Sequence, residues 1–425
     1  MRHHSRRLLG LVDLFLADRY PTRKLGALFI AALLIAAAGL TKYFGVALIP
    51  LLAAYTMMKD PKRPWLLVPM LVPVIAFVGY DLLTRQLYGK GLFDAAEYAS
   101  GGKSPGVEML FTRSMVGLSY AGGCLASIPL MAWILWQKRT LFLALGAILA
   151  GAILLLALGG IGRWNVSATN GTAVLLSLQV ALFAAGGLSI LALAAFDLRT
   201  RDADGLLLFL WVIGVFIFAT YVNWTTNGRS VLPMAPAAGI LAARRLEHRA
   251  AGRRGASYTS PGQQAFVPLL ASAVLSLSVT IEDFQFANAN RLAAMHLTQK
   301  FRAPNERLPY QGHWGFQYYM GRRGGRHIDL CDDRIDVGKL FVMPERTTNG
   351  VYPEGKDADL RDIMDIPKIP FLSTFSPMNG TSFYSSSSGP LPYAICQDPT
   401  VRFLIFECKV DLFFQVKNTR IRTES

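Results

Sequence analysis

Long blocks of apolar residues dominate the sequence from residue 25 to residue 281. Most blocks approach the roughly 20 residues that an α-helix needs to cross the roughly 30 Å hydrocarbon layer of a bilayer. Hydrophobic residues make up 52% of the chain and are concentrated in these blocks, which excludes an ordinary soluble protein. The sequence therefore predicts a polytopic α-helical membrane protein with about nine transmembrane helices. The blocks span residues 25–41, 44–58, 65–83, 110–136, 141–161, 173–196, 206–222, 231–243 and 265–281.

Three regions follow from this pattern. Residues 1–24 are basic and amphipathic, which is typical of a helix lying at the inner membrane surface, although a frayed leader is an open alternative. Residues 25–281 form the transmembrane region. Residues 282–425 contain short β-branched and aromatic runs separated by Gly and Pro, which predicts a small soluble α+β domain. Within it we expect an opening helix over 284–300 and an exposed loop over 372–390.

The formal charge of +15 is distributed as a membrane protein requires. If the amino terminus is cytoplasmic and the helices alternate, the inner segments hold 18 Lys and Arg against 7 Asp and Glu. This excess is the positive-inside signal, so we expect membrane lipids rather than nucleic acid as partners. An odd number of crossings then predicts a protein of the cytoplasmic membrane whose carboxyl-terminal domain lies outside, in the periplasm if the host is bacterial.

The cysteines and the local motifs exclude several chemistries. Cys124 falls in a predicted helix, whereas Cys331, Cys396 and Cys408 fall in the outer domain, where one disulfide of open pairing could form. No Cys/His spacing indicates a metal site. No phosphate-binding loop, nucleophile elbow or dinucleotide fingerprint is present, so neither a metal nor a cofactor is expected.

Polar residues at the predicted outer ends of helices are the remaining candidates. Lys42 and Arg229 could each bind a lipid phosphate, with Asn227 as a hydrogen-bonding neighbour. The alternative is that both cations only flank and anchor the helices. We further expect Asp81 and Arg113 to pair across neighbouring helix ends in a structural role.

Two other groups carry weaker signals. Asp94 and Glu97, in the long loop over 84–109, are the candidates there for general-base work, and a solvated loop surface is the alternative. His313 and Trp314 lie in the aromatic segment GHWGFQYYM, where aromatic faces could stack on sugar rings. The competing interpretation is a core strand with one hydrogen-bonded His.

Three segments together resemble a known family. LTKYFGVALIPLLAAY, NGRSVLPMAPAAGILAARRLE and GHWGFQYYM are similar to segments of family-39-like membrane glycosyltransferases of the GT-C superfamily, which include protein O-mannosyltransferases and the lipid A aminoarabinose transferase. The likeness covers most of the chain, although Ser230 stands where the family usually has Tyr. Several helices and a loop with the catalytic carboxylates normally precede the first segment, so the likeness implies a chain that corresponds to the later part of such an enzyme.

The resemblance implies transfer of a sugar from a polyprenyl-phosphate donor to an unknown acceptor on the outer face. It assigns lipid-phosphate binding to Lys42 and Arg229. A remnant that binds the donor without transferring the sugar is one alternative. A flippase for lipid-linked sugars is another, but broken helices with ionisable groups at mid-membrane are not evident. A non-catalytic scaffold whose outer domain binds a partner is the third.

Overall fold

A computed structural model gives the architecture. It describes residues 21–41, 43–91, 94, 107–161, 164–165, 171–251, 261–301, 306–330, 332–345, 347, 350–368, 370–376, 380–395, 400–415 and 422–423. The predicted amphipathic segment over 1–24 therefore lies almost wholly outside the described residues.

Helices dominate the described chain up to Phe301. They are α1 (Pro21–Thr41), α2 (Leu48–Lys59), α3 (Leu71–Tyr88), α4 (Val107–Cys124), α5 (Ser127–Leu130), α6 (Ala132–Leu135), α7 (Lys138–Ala157), α8 (Gly171–Asp197), α9 (Ala203–Ile217), α10 (Gly228–Val231), α11 (Ala235–Ala251), α12 (Pro261–Phe301) and α13 (Trp314–Arg322). Tight 3-10 turns over Tyr43–Ala47, Pro64–Met70, Leu198–Thr200 and Leu232–Met234, and a π-helical turn over Phe218–Val222, join or extend them.

Five of the described helical segments are long and apolar enough to cross a bilayer, so the chain is a membrane-associated protein. These segments are Pro64–Tyr88, Lys138–Ala157, Ala173–Thr200, Ala203–Val222 and Gly262–Phe301. Two apolar helices, Leu25–Thr41 and Gly45–Lys59, are shorter. Large apolar side chains such as Phe142 and Val267 are exposed along these segments, as contact with lipid requires. The prediction of several membrane helices is therefore confirmed, with five candidates among the described residues, but the predicted number of nine is not confirmed.

The described chain divides into two compact units. The helical unit comprises the residues up to Ala150 together with Ala181–Leu269, and the mixed unit comprises Gly151–Val180 together with Leu270–Ser425. This division differs from the predicted boundary at residues 281 and 282, because α7, α8 and α12 each run from one unit into the other.

Close glycine contacts bring α4 and α8 together in the helical unit. A Cβ on Gly122 would lie 1.9 Å from the carbonyl oxygen of Phe183, and one on Gly187 would lie 2.2 Å from that of Leu118. Small residues permit this approach of two backbones, as in other membrane helix pairs. The core beside this contact includes Leu193 and residues of α9 and α11.

The mixed unit contains a five-stranded sheet with helices on one face. Its order is β4 (Arg326–His327), β3 (Pro309–Tyr310), β6 (Leu340–Pro344), β10 (Thr400–Cys408) and β7 (Ala358–Pro367). β10 runs antiparallel to both neighbours, and Leu404 lies opposite Met343 on one side and Ile363 on the other. β3 is parallel to β4 and to β6.

Smaller sheets complete the strand inventory. They are the antiparallel set β12 (Arg422–Thr423), β11 (Leu412–Gln415) and β5 (Asp332–Ile335), the hairpin β8 (Phe375–Ser376) with β9 (Thr381–Ser382), and the pair β1 (Gly160–Ile161) with β2 (Trp164–Asn165). The prediction of a strand-containing carboxyl-terminal region is therefore confirmed.

Strands β6 and β10 bury side chains on both faces of the five-stranded sheet, whereas most of the edge strand β7 is exposed. On one face, Val342 and Phe403 pack against Ala293 of α12 and Phe316 of α13. On the other, alternate residues of the same strands, including Phe341 and Cys408, form a second core with residues of β5 and β11. Alternation of side chains along each strand produces this two-sided packing.

Cys408 is one of the three cysteines that could form the predicted disulfide. Its thiol is free and buried. Burial, with a further contribution from Asp411, Asp336 and Glu407, raises the pKa of Cys408 to about 12, so the thiol stays protonated at neutral pH. Cys331 and Cys396 lie outside the described residues, so their pairing stays a prediction.

A single 41-residue helix, α12, replaces the two helices expected over 265–281 and 284–300. No Gly or Pro interrupts the sequence around Glu282 and Asp283, so the helix continues out of its apolar part. Both carboxylates are held: Lys368 pairs with buried Glu282, and the Tyr384 hydroxyl donates to Asp283.

The expected exposed loop over 372–390 is wrong for the part that the structure describes. Ser373, Thr374, Thr381 and Ser382 are all buried. The Thr374 amide donates to Glu282 at 2.9 Å, and the Ser373 amide bonds the Ala394 carbonyl at 2.9 Å. Polar residues are buried here because hydrogen bonds satisfy them.

Candidate functional site

Two polar clusters mark the helical unit. The first, the ion-pair cluster, is built around Arg244 of α11. Its Nε donates to Asp197 at 3.0 Å and its Nη2 to Asp202 at 2.9 Å. Burial raises the pKa of Asp202, but hydrogen bonds from the Gly205 amide, Arg244 and Thr200 outweigh it and hold that pKa below its usual value.

Further contacts gather helix ends around this cluster. The Tyr55 hydroxyl donates to Asp204 at 3.1 Å and accepts from Lys59 at 3.2 Å. Arg245 donates to the Leu135 carbonyl at 3.3 Å. The carboxyl end of α2 and the middle of α11 therefore meet the start of α9, and the end of α6 contacts α11.

The second cluster, the turn cluster, lies where α9 ends and α10 begins. It comprises Arg113, Ser114, Tyr221, Asn223, Asn227, Arg229 and Ser230.

The turn itself is fixed by amide side chains. Asn227 caps α10, because its Oδ1 accepts from the amide of Ser230 at 2.9 Å and from its hydroxyl at 3.0 Å. Asn223 is buried and donates to Ser230 Oγ at 2.9 Å and to the Thr225 carbonyl at 2.8 Å. Asn227, predicted to hydrogen-bond a phosphate or sugar, thus uses its side-chain oxygen in the cap, and its Nδ2 donates to the Thr225 carbonyl at 3.4 Å.

Helix α4 contributes the rest of the turn cluster. Arg113 Nη1 donates to the Tyr221 carbonyl at 3.1 Å, and the Ser114 and Tyr221 hydroxyls lie 2.7 Å apart. The π-helical turn exposes this carbonyl, since such turns displace the backbone from regular helix bonding. One turn along α4, Gly117 lets Thr220 approach, because a Cβ there would lie 2.2 Å from Thr220 Oγ1.

The charge of Arg113 distinguishes this cluster. The guanidinium is half-buried, and among the described residues no carboxylate lies within ion-pair distance of it. The predicted partner, Asp81, pairs instead with Arg85 at 2.8 Å. Arg229 is exposed on α10, which packs against α4. A guanidinium beside the Ser114 and Tyr221 hydroxyls can bind a phosphate by charge-assisted hydrogen bonds.

The other predicted site residues of the helical unit are not brought into this cluster by any described contact. Lys42 and Glu97 lie outside the described residues. Gly39 and Gly45 lie in close contact, because a Cβ on Gly45 would lie 2.5 Å from the Gly39 nitrogen. Asp94 is exposed and accepts from the Gly91 amide at 2.7 Å and from Arg85 at 3.3 Å.

His313 and Trp314 belong to the mixed unit. The expected core strand is wrong, because Trp314–Arg322 is a helix with His313 as its N-cap residue. The His313 ring lies 6.0 Å from that of His327 between centroids, while Trp314 is exposed.

Sequence reasoning missed the contact between Arg113 and Tyr221. The available signal was a Tyr at the end of an apolar block, directly before the polar run NWTTNGR. The Arg113 contact joins residues 108 positions apart, and a single sequence does not report it.

Comparison with known proteins adds no relative. No protein-family profile matches the chain, and no curated protein or solved structure is detectably similar to it.

Proposed function

We propose that this chain is a membrane glycosyltransferase that takes a sugar from a polyprenyl-phosphate donor, and that the turn cluster binds the donor phosphate. The resemblance of the segments around Lys42, Arg229 and His313 motivates the reaction class. In this proposal the protein spans the cytoplasmic membrane several times, with the turn cluster and the carboxyl-terminal region on the outer face.

The single observation that carries the proposal is the environment of Arg113. A half-buried guanidinium with only a neutral described partner favours a nearby anion, because desolvated charge is costly without an opposite charge. A phosphate at the surface of the bilayer supplies two or more acceptor oxygens. The polyprenyl tail would remain in the hydrocarbon layer, against the apolar helices.

Binding tests the phosphate role directly. The full chain in lipid nanodiscs would be titrated with undecaprenyl phosphate and with undecaprenol, and bound lipid would be measured by native mass spectrometry. Loss of a charge-assisted hydrogen bond costs about 1.5–3 kcal/mol, so Arg113→Ala should weaken phosphate binding by about 10- to 100-fold. Binding of the uncharged alcohol should not change.

Arg63→Ala is the matched control, because Arg63 is exposed in a turn and its side chain caps no helix. Equal affinity of wild type and Arg113→Ala for undecaprenyl phosphate would reject the site.

Transfer requires a separate assay. Membranes containing the chain would receive radiolabelled polyprenyl-phosphate hexose, and appearance of label in acceptor material would be followed. The proposal expects transfer that falls with Arg113→Ala and persists with Arg63→Ala. Tight binding of the donor without transfer in any membrane extract would show that the chain only binds the donor, and would refute the proposed glycosyltransferase activity.

A further inference from the structure

One face of α13 presents an aromatic stripe to solvent. Trp314 is 82% exposed and Tyr318 is 55% exposed, and Arg322 follows at the same spacing. Residues four apart lie on the same side of a helix, so the three side chains form one row. Arg322 donates to the Tyr318 hydroxyl at 3.0 Å, and its guanidinium carbon lies 5.8 Å from the centre of that ring.

The row is held in place by the opposite face of the helix. Phe316 and Met320 are fully buried in the core of the mixed unit. Trp314 has φ +59°, a left-handed conformation that is unfavourable for a bulky side chain. Trp314 is therefore both exposed to solvent and held in a strained backbone conformation. Strain of this kind is common at ligand-binding sites.

The position of Trp314 beside α12 argues against a role as a membrane anchor, if the hydrocarbon layer ends at the last residue of the apolar stretch. A Cβ on Gly315 would lie 3.9 Å from Cβ of Asn290. Asn290 follows Ile281, the last residue of the apolar stretch, by nine residues, or about 14 Å along the axis. The headgroup layer extends only about 5–8 Å beyond the hydrocarbon on each side. An exposed Trp at this level faces water.

The positive charge at the Arg322 end of the row indicates which class of ligand it would bind. Arg322 and Arg323 are both exposed, and no acidic residue occurs from 312 to 328. Aromatic faces stack against the apolar faces of sugar rings, while guanidinium groups bind carboxylates or phosphates. We propose that Trp314, Tyr318 and Arg322 form a binding surface for an acidic oligosaccharide. The surface is independent of the lipid-phosphate site and could bind whether or not transfer occurs.

Calorimetric titration of the full chain in nanodiscs tests this surface. The probes are tetragalacturonate, which is acidic, and maltotetraose, a neutral oligosaccharide of equal length. We expect tetragalacturonate to bind more tightly, and more weakly as salt rises. Trp314→Ala should weaken its binding at least tenfold, and Arg322→Ala should remove the preference for the acidic probe.

Phe371→Ala is the matched control, because Phe371 is an exposed aromatic residue with positive φ in the same unit. Unfolding curves of each variant would show that the fold is retained, as expected for exposed side chains. The titrations would be repeated in nanodiscs with and without phosphatidylglycerol. Three results would overturn the proposal: no binding of either probe by the wild type, equal losses in Trp314→Ala and Phe371→Ala, or a Trp314→Ala effect confined to nanodiscs that contain phosphatidylglycerol.

Discussion

Two arginines of the helical unit occupy opposite electrostatic settings. Arg244 is 18% exposed and contacts two carboxylates, those of Asp197 and Asp202. Arg113 is half-buried too, yet its described hydrogen bond goes to the neutral carbonyl of Tyr221.

The difference separates a structural cation from a candidate binding cation. The two carboxylates around Arg244 leave no excess positive charge there, so that cluster holds helix ends together. No carboxylate among the described residues balances the positive charge of Arg113, so a bound external anion can neutralise that charge. Substitution should therefore affect folding at Arg244 and ligand binding at Arg113.

Arg244→Ala tests the structural half of this comparison and has the largest expected effect. The Asp197 side chain is only 7% exposed, and its Oδ2 has no partner among the described residues. Removal of Arg244 leaves this carboxylate buried and uncompensated, which costs about 3–5 kcal/mol. Thermal unfolding in detergent should show a large loss of stability.

Arg245→Ala is the control for the Arg244 prediction. Arg245 is the next residue of α11, and it contacts the rings of Trp136 and Phe196 and the Leu135 carbonyl rather than a carboxylate. Its loss should cost much less. The double variant Arg244→Met with Asp197→Asn should recover part of the stability, because the buried charge is removed and the carboxylate that remains, Asp202, is 46% exposed. Equal destabilisation by the two single alanine variants would contradict the structural role.

The sequence predicted the features that depend on local composition. Apolar blocks predicted membrane helices, and short β-branched runs predicted strands such as Thr400–Cys408. The helix Trp314–Arg322 also carries a local signal, since buried Phe316 and Met320 are four residues apart. That spacing indicates a helix, but the aromatic content of GHWGFQYYM favoured a strand.

Features that depend on distant partners were not predictable. Glu282 continues α12 because Lys368, 86 residues later, neutralises it. Thr374 is buried because it bonds Glu282, 92 residues earlier, and the Ser373 amide bonds the Ala394 carbonyl, although their local sequence is polar. The incorrect pairing of Asp81 with Arg113 has the opposite cause: Arg85, one helical turn from Asp81, is a local partner that the sequence already offered.

Asn227 offers an intermediate test at the turn cluster. Asn227 caps α10, so Asn227→Ala should lower the free energy of unfolding by about 1 kcal/mol. Asn227→Asp retains a capping oxygen and should retain that stability, but its negative charge should repel a phosphate near Arg229. Thermal unfolding and undecaprenyl phosphate titration of both variants would separate the two roles. Unchanged lipid binding in Asn227→Asp would show that no phosphate binds near this turn.

The smallest expected effect is the pH dependence of the ion-pair cluster. The pKa of Asp202 is lowered in the folded protein, so its contribution to stability is complete above the unfolded value of about 3.9 and is lost as pH falls through the folded value. Asp202 is 46% exposed, which limits the contribution to under about 1 kcal/mol. Asp202→Asn keeps an oxygen to cap α9, so it removes the charge alone. The stability difference between wild type and Asp202→Asn should be constant from pH 5 to pH 7 and shrink below about pH 4. A difference that grows on acidification would mean that Asp202 is not stabilised by Arg244, and the contrast between the two arginines would lose its electrostatic basis.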